Sequence, residues 1–206
     1  MMPSVSCLPV YLLVAGVLCQ LLVPAAAQED TSGSTGTEPD CPVIVKRAAW
    51  GAVKSKNVTY QLKPVANVIV HHTTGERCTT VATCKEMVAN IQSFHQNDNR
   101  WSDIGYNFLI SSSHVYEGIG WHRMGAHLRG YNDKSIGVAF LGNFDQERPT
   151  ARSLNLLARL LQCGVELGEL ADDYRLYGAR QLQSTNSPGR FLYAKLQDFD
   201  HWQQKV

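Results

Sequence analysis

A short apolar segment that ends in two histidines constrains the fold of this chain most strongly. Residues 66–72 read ANVIVHH, and their β-branched and apolar side chains predict a buried strand whose carboxyl end reaches a site. Successive residues of a strand point to opposite faces of its sheet. A regular strand is therefore expected to direct only one of His71 and His72 into that site, while the other packs or lines a different wall.

The remaining hydrophobic pattern alternates between helices and strands. Helices are predicted where apolar residues recur at intervals of three and four. These segments are residues 80–96, 151–169 and 191–199. Shorter apolar runs predict further strands at residues 106–111, 114–118, 135–143 and 174–177. This mixture indicates a single α/β domain, in which a central sheet is covered by helices.

The first 40 residues are expected to lie outside the folded domain. Residues 10–23 form an apolar run broken only by Gln20, and small residues follow it, so a secretory signal peptide is predicted over residues 1–27. The run is shorter than the roughly 20 residues of a bilayer span. Residues 1–9 carry no Lys or Arg, and a signal anchor is the alternative. The polar stretch 28–40 predicts a flexible leader, which leaves residues 41–206 as one domain.

Charge and cysteine content narrow the class of protein further. The formal net charge is +1, and no cluster of Lys and Arg occurs, which argues against nucleic-acid binding and against a directly bactericidal protein. Four cysteines remain after the signal peptide, and an even number in a secreted chain predicts disulfides, with three connectivities open. They are Cys41, Cys78, Cys84 and Cys163. Asn57-Val58-Thr59 is an N-glycosylation sequon.

Several motifs in a fixed order resemble those of the peptidoglycan recognition proteins. They extend over Cys41–Trp202 and include VIVHHTTG (68–75), the SFH that ends the first predicted helix, DIGYNFL (103–109), VYEGIGW, GAH, SIGVAFLGN and SPG. The likeness is to short secreted members, especially insect ones with a Ser at the zinc-cysteine position. It implies the fold of the N-acetylmuramoyl-L-alanine amidases, with a central, mainly mixed sheet flanked by helices. Pairing of Cys78 with Cys84 and of Cys41 with Cys163 would match the family pattern.

The resemblance also implies that the catalytic zinc site is lost. In catalytic members the zinc binds a His of the HHT segment, a His just after the Gly of the final strand and a Cys eight residues later. Those positions are His71, Ala179 and Ser187 here. A catalytic zinc needs three protein ligands, and neither an alanine nor a poorly ionised serine hydroxyl supplies one. We therefore expect no metal and no cofactor, and the spacing of His127 and His201 gives no sign that they replace the missing ligands.

A groove for the muramyl sugar and stem peptide of bacterial peptidoglycan is expected along the former active site. Tyr106 and Thr185 match other parts of the amidase machinery and are expected to serve binding rather than catalysis. The matching contact positions are His72, Thr73, His95, Asn99, Tyr106, Ile119, His127, Arg129 and Asn132. Imidazole, phenol and guanidinium groups suit sugars, amides and carboxylates. Ile119 is equally interpretable as a core residue.

The pair Arg100-Trp101 stands where the family distinguishes lysine-type from diaminopimelate-type stem peptides. Trp101 matches diaminopimelate-type readers. Arg100 matches neither group. Its guanidinium either pairs with the additional carboxylate of diaminopimelate or is solvated. The likeness to circulating insect receptors favours the lysine type of Gram-positive bacteria, and the preference stays open.

Together these features predict a secreted, extracellular innate-immune receptor. It would bind peptidoglycan and pass the signal to protein partners in an extracellular protease cascade, without binding nucleic acid or spanning a membrane. Two enzymatic alternatives remain. In the first, Ser187 acts near His71 and Thr185 as the nucleophile of a stem-peptide carboxypeptidase, although the chain has no GxSxG motif. The second is residual N-acetylmuramoyl-L-alanine amidase activity.

Overall fold

The computed structural model describes residues 39–204, so the predicted signal peptide and most of the predicted leader lie outside the described residues. Within this range a six-stranded sheet has the order β1-β4-β3-β5-β2-β6. Its strands are Ile44–Val45 (β1), Val65–His72 (β2), Phe108–Ile110 (β3), Val115–Glu117 (β4), Ile136–Phe140 (β5) and Leu170–Gly178 (β6). The α-helices are Val81–Asn97 (α1), Ala151–Glu166 (α2) and Arg190–Leu196 (α3), with 3-10 helices at Arg47–Trp50 and Ala179–Gln181. The predicted α/β fold with a mixed sheet flanked by helices is confirmed.

The strand with the two histidines is β2, which lies in the interior of the sheet. It pairs in parallel with β5 on one side and with β6 on the other. Its apolar side chains are buried on both faces, which explains the continuous β-branched run in the sequence. Because parallel strands end at the same edge of a sheet, the segments that follow β5, β2 and β6 meet there.

Helices cover both faces of this sheet. On one face, α1 buries Cys84 and Val88 against Leu109 and Ala139 of the sheet. This helix begins at a capping box, in which the side chain of Thr80 accepts a hydrogen bond from the backbone N–H of Thr83, and the Thr83 hydroxyl accepts one from the N–H of Thr80. The other face is covered by the apolar sides of α2 and α3, which pack on Val68, Val70, Phe108, Ile110, Val138 and Phe140.

Two disulfides join these elements in the expected pairing. The disulfide between Cys78 and Cys84 links the loop before α1 to the beginning of that helix. Cys41 and Cys163 join the first described residues to α2 across a sequence separation of 122. No helix within residues 39–204 is both long and apolar enough to cross a membrane.

Several element boundaries differ from the sequence-based prediction. The two-residue strand β1 was not predicted, since so short a segment carries no readable alternation. Helix α2 ends at Glu166 rather than residue 169, because Gly168 adopts a left-handed φ of 66° that terminates the helix. Strand β6 begins at Leu170 instead of residue 174; its early residues include the exposed Asp172 and Asp173, as suits an edge strand.

Candidate functional site

A polar cleft lies where the segments after β5, β2 and β6 meet, and its volume is about 450 Å³. We call it the histidine cleft. It is lined by His71, His72, Thr74, Tyr106, His127, Leu128, Asn143, Asp145, Ala179, Gln183, Thr185, Asn186 and Ser187. Sequence analysis named seven of these positions from motifs far apart in the chain, and the fold brings them together.

Both histidines at the end of β2 line this cleft, so the expectation that only one of them reaches a site is wrong. The strand stays regular through His72, and each of the two side chains is only 5% exposed. Their partners differ: the ring of His71 packs against Tyr106 with centroids 5.5 Å apart, whereas Nδ1 of His72 accepts a hydrogen bond from the N–H of Phe144. Because the cleft lies at the strand's end, residues that point to both faces of the sheet can border it.

A chain of hydrogen bonds fixes which nitrogen of each cleft imidazole carries the proton. The hydroxyl of Ser135 donates to the carbonyl oxygen of Tyr131 at 2.6 Å and lies 3.3 Å from Nε2 of His127. A hydroxyl has one proton, so Ser135 can only accept from His127, whose Nε2 must carry the hydrogen. Nδ1 of His127 then accepts from Nε2 of His71 at 3.1 Å. His71 is left with a lone pair on Nδ1.

The loop that carries His127 is held in place from two sides. The side chain of Asn132 accepts hydrogen bonds from the backbone N–H groups of His127 and Leu128, at 2.9 and 2.8 Å. The imidazole ring of His127 also lies so close to the backbone of Gly137 that any Cβ there would collide with it. A glycine is therefore required in β5 for the ring to occupy this position.

The three imidazoles of the cleft and the phenol of Tyr106 are uncharged at neutral pH. Burial, reinforced by His127 and then His72, lowers the pKa of His71 well below its usual range. Burial also lowers the pKa of His127 to about 4, a shift that a hydrogen bond with Ser135 partly opposes. For His72, burial lowers the pKa and the nearby Asp145 partly opposes the shift. Burial raises the pKa of Tyr106 to about 12. These four rings therefore offer neutral donors and acceptors to a ligand, and Asp145 is the acidic residue beside them.

Ala179 and Ser187 stand at the positions where the resemblance implies zinc ligands in catalytic members, and both contact other groups of the protein. Ala179 is fully buried and packs with Ile69 and Leu128. The hydroxyl of Ser187 accepts a hydrogen bond from the backbone N–H of His72 at 3.1 Å. In the described part of the chain, no three His, Cys, Asp or Glu side chains converge to hold a metal ion. His201 is distant from this arrangement, since its ring stacks on Tyr174 and does not line the cleft.

A second, smaller cavity of about 280 Å³ contains three further predicted contacts. We call it the tryptophan cavity. Arg100, Trp101 and Ile119 line it, and Ile119 also belongs to the buried core, so its interpretation as a core residue is confirmed while its contact with a ligand stays a prediction. The remaining lining residues are Ser55, Asn57, Val58, Thr59, Ser102, Asp103, Ile104, Arg123, Met124, Gly125 and Ala126.

The charge of the tryptophan cavity is dominated by its arginines. Its one acidic lining residue, Asp103, is engaged by Arg47, whose guanidinium donates to both carboxylate oxygens at 3.1 and 2.9 Å. Arg100 is exposed at the opening, and Arg123 is half-buried and donates to the carbonyl oxygen of Ile119. The cavity combines positive charge with the flat apolar face of Trp101.

Five predicted contact residues line neither space. His95 is buried, and its ring packs between Trp101 of one cavity and Tyr106 of the other, with centroids at 4.6 and 5.6 Å. Its Nδ1 accepts a hydrogen bond from the N–H of Gly105. Thr73 accepts one from the N–H of Gly142, and Asn132 holds the His127 loop as described. Asn99 and Arg129 are exposed.

Sequence reasoning missed several polar residues of the histidine cleft. Asn143 and Asp145 follow β5, while Gln183 and Asn186 follow β6. A usable signal was present, because polar residues just beyond the carboxyl ends of neighbouring parallel strands meet at one edge of the sheet. The neighbour relation of β5, β2 and β6, however, is not readable from the sequence.

Comparison with known proteins agrees with this arrangement. Residues 61–190 match the family described as Amidase_2, N-acetylmuramoyl-L-alanine amidase. The peptidoglycan recognition protein of Trichoplusia ni is 46% identical over 164 residues, which are 79% of this chain and 90% of that protein. Peptidoglycan-recognition protein SA of Drosophila melanogaster is 39% identical over 193 residues, which are 93% and 94% of the two chains.

Solved structures show the same fold. The bumblebee recognition protein PGRP-SA superposes with a TM-score of 0.79 at 41% identity, covering 81% of this chain and 100% of that one. Recognition protein PGRP-LE in complex with tracheal cytotoxin, a monomeric diaminopimelic acid-type peptidoglycan, gives a TM-score of 0.77 at 41% identity, covering 78% and 95%. With a family match over more than half of its length and relatives that align along almost their whole chains, this chain belongs to the peptidoglycan recognition protein family.

Proposed function

We propose that the protein is an extracellular receptor that binds muramyl peptides of bacterial peptidoglycan in the histidine cleft without hydrolysing them. Binding of the ligand would then activate protein partners in an immune protease cascade. The observation that carries the proposal is a cleft with ordered polar groups at His71, Tyr106 and His127, beside an alanine and a serine where a hydrolase needs zinc ligands. Relatives whose names state peptidoglycan recognition support it.

The rings of the cleft suit the uncharged polar groups of a muramyl peptide. Neutral imidazoles and a protonated Tyr106 offer both donors and acceptors, and their rings provide flat apolar faces. Sugar hydroxyls and peptide amides need this combination, because each desolvated polar group must regain a hydrogen bond. The lone pair on Nδ1 of His71 would accept from an N–H or O–H of the ligand.

The residues present do not fit a catalytic zinc. A tetrahedral catalytic site takes three protein ligands and one water. Ala179 has no donor atom, and the hydroxyl of Ser187 is hydrogen-bonded to the N–H of His72. One imidazole from His71 is insufficient, so no hydrolytic step through a metal is proposed.

The surroundings of the Ser187 hydroxyl disfavour it as a nucleophile. An activated serine donates its proton to a base within hydrogen-bond reach. Among residues 39–204, the Ser187 hydroxyl makes no hydrogen bond to an imidazole nitrogen or to a carboxylate. Carboxypeptidase activity is therefore an outcome that the experiments below test, not the proposal.

Calorimetric titration with defined lysine-type and diaminopimelate-type muramyl peptides tests the receptor proposal. Wild-type protein should bind at least one of them saturably. Replacing His127→Ala removes a cleft ring and the partner of His71, and should weaken binding about tenfold, or about 1.4 kcal/mol. His122→Ala is a matched control, since that side chain is 60% exposed and lies outside the cleft. Absence of saturable binding by the wild type, or equal weakening in both variants, would overturn the proposal.

A further inference from the structure

The sequon Asn57-Val58-Thr59 lies on the rim of the tryptophan cavity. All three residues are exposed, and all three line that cavity. Oδ1 of Asn57 accepts a hydrogen bond from the adjacent N–H of Val58 at 2.9 Å, and within the described chain no hydrogen bond engages its Nδ2. The acceptor nitrogen of the sequon is therefore free, at the opening of a cavity next to the histidine cleft.

The backbone on either side of Asn57 is hydrogen-bonded to residues that line the cavity. The N–H of Lys56 donates to the carbonyl oxygen of Ser102 at 2.8 Å, next to Trp101. Two residues after Asn57, the carbonyl oxygen of Thr59 accepts from the N–H of Met124, also at 2.8 Å. Ser102 and Met124 both line the cavity. These hydrogen bonds hold the segment that carries Asn57 against the cavity, so a group attached to Asn57 begins at its rim.

We propose that Asn57 is N-glycosylated and that the glycan restricts access to the tryptophan cavity. The inference rests on the proposed function for secretion and for the ligand, and it extends the ligand's site from the histidine cleft to the tryptophan cavity, which the predicted contacts Arg100, Trp101 and Ile119 line. In the transfer, Nδ2 of Asn57 forms a bond to the anomeric carbon of an oligosaccharide carried on a lipid diphosphate. The bond from that carbon to the diphosphate oxygen breaks, and one amide proton is released. The two disulfides are consistent with the oxidising compartment in which this modification occurs.

A glycan at this rim has a predictable effect on binding. Oligosaccharides are bulky and hydrated, so they hinder entry of a ligand more than they weaken contacts once it is bound. The glycosylated protein should therefore associate with muramyl peptides severalfold more slowly, while the dissociation rate changes little. Access to the indole of Trp101 should fall in parallel.

Expression of the full chain in a secreting insect cell line tests both parts. Thr59→Ala destroys the sequon and keeps Asn57, whereas Thr59→Ser changes the same side chain and keeps the sequon. Intact mass should show a glycan on wild type and Thr59→Ser, removable by a peptide N-glycosidase, and none on Thr59→Ala. Surface plasmon resonance should then show slower association for the two glycosylated proteins. Unmodified Asn57 in secreted wild-type protein would overturn the proposal.

A second readout does not depend on ligand binding. Collisional quenching of Trp101 fluorescence, isolated by subtracting the signal of Trp101→Phe, measures access to the cavity directly. Quenching should be weaker in Thr59→Ser than in Thr59→Ala. If neither form binds a muramyl peptide but quenching differs, the receptor proposal fails and the glycan proposal holds. Equal quenching in the two variants would overturn the proposal that the glycan restricts access to the tryptophan cavity.

Discussion

His95 lies between the histidine cleft and the tryptophan cavity, and its protonation allows a quantitative test of its burial there. Its side chain is 7% exposed and packs against Trp101 and Tyr106, one from each space. Nδ1 accepts the N–H of Gly105, so the ring is neutral in the folded protein. Burial lowers the pKa of His95 to about 4, and the opposing effect of Asp103 is smaller.

The sign of the pH effect follows from linkage. An unfolded histidine has a pKa of about 6.5. Below that pH the unfolded chain binds a proton that the folded chain does not, so the free energy of unfolding is unaffected at higher pH and falls as the pH drops towards about 4. For a pKa that moves from 6.5 to about 4, His95 alone should remove about 2 kcal/mol of stability between about pH 7 and pH 4.5.

Urea unfolding of wild type and His95→Asn at both pH values measures this contribution. The Oδ1 atom of asparagine replaces Nδ1 as acceptor for the N–H of Gly105, and the new side chain does not titrate. The variant should lose about 2 kcal/mol less than wild type on acidification, whatever its stability at neutral pH. Because all other histidines are common to both proteins, their contributions cancel. An identical pH dependence of stability in the two proteins would refute the conclusion that His95 is buried and neutral in the folded protein.

Two further predictions concern the metal and the disulfides. Ala179→His combined with Ser187→Cys adds two ligands beside His71, and should bind one zinc per chain by mass spectrometry of the metal, whereas wild type binds none; no gain of zinc would mean that these positions do not form one site. Replacing Cys41 and Cys163 by alanine opens a link across a sequence separation of 122, and should lower the free energy of unfolding in urea by about 5 kcal/mol. A loss below about 1 kcal/mol would contradict the loop-closure explanation.

The parts of the fold that follow local patterns could be predicted from the sequence. The β-branched run of β2 and the threefold and fourfold spacing in α1 and α2 depend on which side chains are buried, and burial imposes periodicity. Strand β1 and the first half of β6 escaped prediction. One is only two residues long and the other is polar, so pairing with neighbours rather than sequence pattern decides their structure.

The candidate site was predictable in content but not in arrangement. The motifs supplied His71, Tyr106, His127 and Ser187, yet they did not show that the predicted contacts divide between two spaces. His95 was predicted as a ligand contact but lines neither space, and its nitrogen instead satisfies a backbone N–H. This role depends on the backbone N–H of Gly105, which lies outside the helix that carries His95, so no local sequence pattern indicates it.

Mass spectrometry of defined muramyl peptides after incubation with the mature protein and added zinc distinguishes a receptor from a hydrolase. We predict bound peptides of unchanged mass, because the residues at His71, Ala179 and Ser187 do not fit a catalytic zinc. Separation of the stem peptide from the muramic acid would contradict the loss of amidase activity, and loss of a terminal stem residue would assign a catalytic role to Ser187.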